Sequence, residues 1–252
     1  MSEPETKPKV KYAQPPIQEA ICEVHFASAN PLSPEQIEQI KPVWHSGYPN
    51  QQLVTEKTLE VHLGVDKVDT LSKNVGHKLI ARSADGKSLV QLGPRFLAVN
   101  RLNPYPGWEE SFRATIESRA REVVEAYGFE SIERVGLRYI NKIEFPEKPL
   151  RWADWFAVTL PVPGDLGQVG GSFQFHFEQD LSPGFRGTIN FLTLPPQPEV
   201  GTAVILDIDV IWRGSEPCSQ LGSILEAVHT PHHDLFECYL LDKCRQLFEI
   251  QP

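Results

Sequence analysis

Asp207 and Asp209 stand two residues apart in the run Val204–Trp212, VILDIDVIW. In a strand, alternation places both carboxylates on one face, which suits general acid–base work or a divalent metal. Arg138 and Lys142 carry the opposite charge along Ile132–Phe145, IERVGLRYINKIEF. Taken together as catalytic groups, these four describe a metal-assisted hydrolase or nucleotide-processing enzyme that works on a polar barrel face. The plainer alternative is cross-strand salt bridging, with Arg138 or Lys142 within bonding distance of Asp207 or Asp209.

A second group comprises His229, His232, His233 and Asp234. His229 and His233 are four apart, a zinc-compatible spacing if the helix runs on, but Pro231 falls between them. A helix start that Asp234 complements electrostatically is the competing reading. The third set is Arg101, Tyr105, Trp108, Arg138 and Asn141, which has ligand-binding character and no catalytic pattern. Tyr105 and Trp108 leave a proline-rich loop, and Asn141 interrupts an apolar strand face. A buried asparagine needs hydrogen-bond partners, from neighbouring backbone or from a ligand. No GxSxG, HExxH, Walker loop or GxGxxG occurs, and Gly167–Gly171 (GQVGG) reads as a flexible loop. No cofactor and no resident metal are expected.

The bulk numbers narrow the classes. The 252 residues are 40% hydrophobic and 23% charged, which is globular composition with room for one large domain or two smaller ones. A net charge of −9 argues against nucleic acid as a main partner, because phosphate binding needs a basic face. Four cysteines show no CxxC spacing, which fits reduced thiols. No apolar run reaches membrane-spanning length, and Met1–Gln14 has no apolar core of a signal peptide. The expectation is a cytoplasmic protein that contacts no membrane, with a disordered polar tail over residues 1–14.

Period-two alternation makes Ile132–Phe145 a long strand with one apolar face, and Ile17–Phe26 a shorter one. Ser33-Pro34-Glu35-Gln36 reads as a capped helix start, stopped by Pro42. Strands are expected at 59–64, 77–83, 88–92 and 95–102, with Asp85-Gly86 as a type I′ hairpin turn. An amphipathic helix spans Trp108–Tyr127, capped by Gly128. Trp152–Phe156 is a short turn, Pro161–Gly171 a loop, and 172–179, 185–194 and 203–213 are strands. Two helices, Pro217–His229 and Pro231–Phe248, are expected to be separated at Thr230-Pro231.

The order of strand, helix, antiparallel strands and long helix then repeats. Ala20–Phe26 (AICEVHF) lies over Tyr139–Phe145 (YINKIEF), and Phe112 and Ile116 fall on Phe236 and Leu240. The fold expectation is therefore α+β with two tandem helix-grip-like halves, residues 15–129 and 130–252. Each would be a curved antiparallel sheet packed on a long C-terminal helix, its first and last strands side by side. In the first half, Glu19 and Glu23 would meet Arg95 and Arg101.

The segments PPIQEAICEVHF, RLNPYPGWEE, ERVGLRYINKIEF and LFECYLLDKCRQLF resemble a prokaryotic family of conserved hypothetical proteins of about this length. The RYIN-type and PYxxW-type motifs carry that resemblance over nearly the whole chain. It implies one unit spanning both halves and transfers no catalytic residues. The family's sporadic distribution suggests a defence- or stress-linked role by association only. The reading that results is a non-enzymatic binding or interaction protein. Its partner is another protein, a further copy of the chain, or a small ligand held between sheet and long helix, where a cavity beneath Trp108–Tyr127 or Pro231–Phe248 would receive it.

Overall fold

Alternation lays down the middle of the chain as expected: β6 spans Ser131–Phe145, with Val135, Leu137, Tyr139, Asn141, Ile143 and Phe145 buried and Arg138 and Glu144 exposed. A computed structural model describes residues 10–63, 68–147, 149–159, 168–169, 173–195 and 201–249, with backbone alone over 56–63, 68–75 and 168–169. Before β6 come β1 (Ile17–Ala27), α1 (Pro34–Glu38), α2 (Lys41–Trp44), β2 (Asn50–Leu63), β3 (Val68–Arg82), β4 (Ser88–Leu92), β5 (Phe96–Leu102) and α3 (Arg113–Tyr127). After it come β7 (Leu150–Arg151), β8 (Gln168–Val169), β9 (Gln174–Ser182), β10 (Phe185–Thr193), β11 (Thr202–Pro217), α4 (Leu221–Tyr239) and α5 (Asp242–Arg245).

The class is α+β. Nine strands form one antiparallel sheet in the order β2-β3-β4-β5-β1-β6-β11-β10-β9, and β7 pairs with β8. The first strand of each predicted half thus neighbours its last, β1 beside β5 and β6 beside β11. Direction follows from the bonds: Lys142 N donates to Pro16 O and Arg134 reaches Glu23, so β6 runs antiparallel to β1.

The chain divides into two compact units. One comprises Ala20–Gly136 and Trp212–Leu225; the other comprises residues up to Glu19, Leu137–Ile211 and Glu226 onward. In the first, α3 buries Ile116, Ala120 and Val123, and Phe26 stacks on Phe129 with ring centroids 4.6 Å apart. Each fully buried large side chain contributes about 1.5–3 kcal/mol, so such a row outweighs any single ion pair described below. In the second, Phe145 meets Trp155 and Phe156 edge-on, and Phe191 meets Trp152 and Phe156.

Local rules hold where nothing competes with them. Ser33 accepts from Gln36 N while the Gln36 side chain accepts from Ser33 N, a complete capping box. Gly128, at φ 69°, ends α3 in the left-handed conformation. Three expectations are corrected. The Ser83–Ser88 turn is not type I′: only Gly86 has positive φ, and its N–H closes on Ser83 O. Pro231 does not split the last helix; α4 runs through it and stops where Tyr239–Leu241 bridges to Trp155–Ala157, since Ala157 N donates to Tyr239 O and Leu241 N to Trp155 O. Of the C-terminal carbonyls that a helix leaves open, that bridge takes Tyr239 O, and Glu237 O accepts from Arg245 Nη2.

The third correction concerns the tail. Tyr12–Gln14 are held rather than frayed: Ala13 and Gln14 N–H donate to Glu249 and Phe248 carbonyls, and Tyr12 Oη donates to Glu237. Gly167, Gly170, Gly171 and most of Pro161–Gly171 lie outside the described residues, as does Pro196-Gln197-Pro198.

Candidate functional site

Arg138 and Asp207 face each other across β6 and β11. Arg138 Nε and Nη2 each donate to an Asp207 carboxylate oxygen at 2.7 Å, and Asn190 Nδ2 adds a third bond at 3.2 Å. Asn190 in turn meets His176 at 2.6 Å. Hydrogen bonding to Asp207, opposed by partial burial, holds the Arg138 guanidinium above its ordinary range. Asp207 is buried and both its oxygens are engaged, which suits a cross-strand clamp better than a general base or metal ligand. Asp209 lies close enough for its charge to favour the Arg138 cation, and Lys142 pairs with Glu144 at 2.5 Å.

Asn141 points to the other face of β6 from Arg138, as three-residue spacing requires, and its amide donates to Leu206 O at 3.0 Å and Tyr139 O at 3.3 Å. The backbone therefore satisfies it. His229 and His233 do share a continuous helix, yet His233 Nε2 donates to Val10 O and buried His232 donates to Ile208 O at 3.0 Å. Burial pushes the His232 pKa down to about 4. His233 Nδ1 lies 3.7 Å from Asp234. Among the described residues no group of three or more His, Cys, Asp or Glu side chains is placed to hold a metal ion.

Arg101 is different. On β5 it follows Leu97 and Val99 on the same strand face, and it lines a cavity of about 200 Å³ with Val99, Tyr48, Ser83, Ser88 and Ser111. Phe112, Thr115, Pro106 and Gly47 complete the wall. The expectation that Arg101 meets Glu19 and Glu23 on the opposite face is thereby overturned. Glu23 takes Arg134 Nη1 at 2.7 Å and the His25 ring instead, and Arg95 donates to Ala29 O. These contacts hold the Glu23 carboxyl below its ordinary value, the His25 bond first.

The elements explain the cavity. Ser88 pairs in register with Arg101, and its hydroxyl lies 3.2 Å from Tyr48 Oη. Ser83 Oγ donates to Asp85 and accepts from Ser88 N, while Thr115 Oγ1 donates to Ser111 O. Above them, Trp108–Phe112 form a wide π-helical turn closed by Phe112 N donating to Gly107 O, which sets Ser111 and Phe112 on the cavity wall. Gly107 starts that turn at φ 94°, a conformation other residues rarely adopt. Tyr105 and Trp108 contact the Phe112 ring edge-on at 5.8 and 6.2 Å, so two of the residues picked from sequence brace the wall. Arg101 Nε is buried and has no hydrogen-bond partner among the described residues.

A second, larger hollow of about 440 Å³ lies against α3 near Phe26, Ala120, Val124, Ile132, Leu221 and Cys218. Its rim carboxylate Glu117 already accepts from Arg113 at 3.1 Å.

The five-residue set chosen from sequence is thus divided. Arg101, Tyr105 and Trp108 gather at one cavity; Arg138 and Asn141 serve the strand pair β6–β11. The hydroxyls of Tyr48, Ser83, Ser88, Ser111 and Thr115 escaped sequence reasoning, because three separate stretches of chain supply them and none is unusual locally. No protein-family model matches the chain, and comparison with curated proteins finds no significant relative.

Proposed function

We propose that this is a non-enzymatic binding protein whose small ligand occupies the Arg101 cavity between α3 and the β4–β5 hairpin. One observation carries the reading: a guanidinium Nε–H, buried beside hydroxyls and without a partner among the described residues. A buried unsatisfied donor costs about 1–3 kcal/mol, more when charged, and a bound acceptor removes that penalty. The engagement of Asp207 by Arg138 and Asn190 favours binding over hydrolysis. The repeat of first strand beside last strand supports tandem helix-grip halves, and the RYIN- and PYxxW-type resemblance supports a prokaryotic defence- or stress-linked role.

The test is a metabolite screen by thermal shift on the wild type and on Arg101→Gln. A compound that raises the wild-type Tm and leaves the variant unmoved supports the site. Compounds that stabilise both alike, or none from a broad screen, remove it.

A further inference from the structure

Resting on the cavity reading above, we infer that the ligand presents a small oxyanion group, carboxylate or phosphate, to Arg101. The polar side chains lining the cavity are hydroxyls and a guanidinium, and among the described residues no carboxylate lines it. Arginine offers donors and no acceptor, and it stays charged at any physiological pH. Its Nε–H, unpaired among the described residues, calls for an acceptor, and a negatively charged one gives the shorter and stronger bond.

The hydroxyls complete the selection. Ser88 and Tyr48 face each other at 3.2 Å with either able to donate, so one of their two protons is available to a third group. Ser111 lines the cavity from the π-helical turn. An oxyanion lying against Arg101 Nε meets a hydroxyl donor as well. Val99, Phe112 and Pro106 leave apolar surface for a short carbon body, and about 200 Å³ limits the whole to a small metabolite.

One charge opposes this. Asp85 senses Arg101 electrostatically, although its carboxylate is occupied by the Ser83 hydroxyl and Lys87 N–H, and these bonds, the Ser83 one first, hold its pKa below the usual range. Asp85 sits outside the cavity wall and weakens the local positive potential. Removing its charge therefore strengthens anion binding.

The probes are inorganic phosphate, sulfate and acetate, with dimethyl sulfone and acetamide as uncharged counterparts of the last two. The readout is the Arg101 Nε–H NMR resonance, with calorimetry for affinity. Saturable movement of that resonance by at least one anion, and by neither neutral counterpart, is expected. Phosphate and sulfate against acetate separates a tetrahedral from a planar group. Arg101→Gln weakens binding roughly tenfold or more, from loss of a charge-assisted bond. Asp85→Asn tightens it by a few-fold.

Gly47 lines the cavity, and a Cβ there meets nothing within 4 Å, so Gly47→Ile narrows the space without removing charge and also weakens binding. That variant keeps the test decisive if Arg101→Gln folds poorly. Equal binding of acetamide and acetate, or anion binding unchanged in both Arg101→Gln and Gly47→Ile, overturns the oxyanion assignment. A neutral ligand found in the thermal screen and abolished by Gly47→Ile overturns the ligand class while leaving the cavity reading in place.

Discussion

Breaking the Arg138–Asp207 clamp is expected to be asymmetric, and the asymmetry follows from burial. The Asp207 side chain is 9% exposed and that of Arg138 is 44% exposed. Arg138→Leu leaves a nearly buried carboxylate with one remaining donor, Asn190 at 3.2 Å. Removing one partner of a fully buried pair costs about 3–5 kcal/mol, and partial solvation here brings the expectation to about 2 kcal/mol. Asp207→Asn instead leaves a guanidinium that water reaches from its open side, and about 1 kcal/mol is expected.

For a chain this size, 2 kcal/mol corresponds to a Tm fall of roughly 4–8 °C. Urea unfolding at constant slope measures both changes, and the double variant Arg138→Leu/Asp207→Asn closes the cycle with a coupling of about 1–2 kcal/mol. Equal single-mutant costs, or a coupling below about 0.3 kcal/mol, would show that the geometry carries no energy. An Asp207→Asn protein that folds normally yet loses a hydrolytic activity would return Asp207 to a catalytic role.

Acid should act through His232. Its folded pKa of about 4 lies below the ordinary 6.5, so the neutral form belongs to the native state. That contribution is fully present above pH 6.5 and is lost as pH falls from 6.5 toward 4, by at most roughly 3 kcal/mol. His232→Gln should flatten this part of the stability profile, and a profile parallel to wild type between those limits contradicts it. Native thiol titration should find Cys22 and Cys244 silent, because both are buried and burial pushes the Cys244 pKa up to about 12, while Cys238 is exposed. Rapid labelling of all four without denaturant would be the contrary result. Gly201→Ala should destabilise more than Gly107→Ala: both have positive φ, but the new Cβ meets Phe145 carbonyl oxygen at 2.4 Å in the first case and only the tip of the Glu110 side chain in the second. Chemical denaturation of the two variants ranks them, with about 1 kcal/mol expected from conformation alone.

Much of the fold was legible because several local signals are strong on their own. The alternation of β6 is read correctly since its two faces differ in burial, and Ser33 and Gly128 act as caps through bonds made within their own turns. Pro231 was misread for the opposite reason. A local rule ends a helix there, yet the side chains on either side, Val228 and Leu235, are buried, and their packing outweighs one missing backbone donor. Arg101 was assigned to the wrong strand face because β5 has no exposed face in its centre: Ala98 and Asn100 are as buried as Leu97 and Val99. Period two identifies which residues share a side and cannot say which side faces the helix when both are covered.

The same accounting of buried polar groups separates the two places where sequence reasoning put function. In the unit that holds Leu137–Ile211, Asn141, Asp207 and His232 each find partners within the protein, which ties them to register. Two buried atoms have no partner among the described residues, Arg101 Nε and His233 Nδ1, and they are not equivalent. His233 donates through Nε2, and its Nδ1 lies 3.7 Å from an Asp234 carboxylate oxygen; an imidazole nitrogen can act as either donor or acceptor. Arg101 has no such escape. Its cation cannot be discharged, its Nε–H cannot turn into an acceptor, and the wall around it offers hydroxyls in place of a carboxylate. Among the described residues, buried Asp207 is paired directly by Arg138 and Asn190, whereas the buried Nε–H of half-buried Arg101 has no such partner, and that difference sets Arg101 apart from the ion pairs of the sheet.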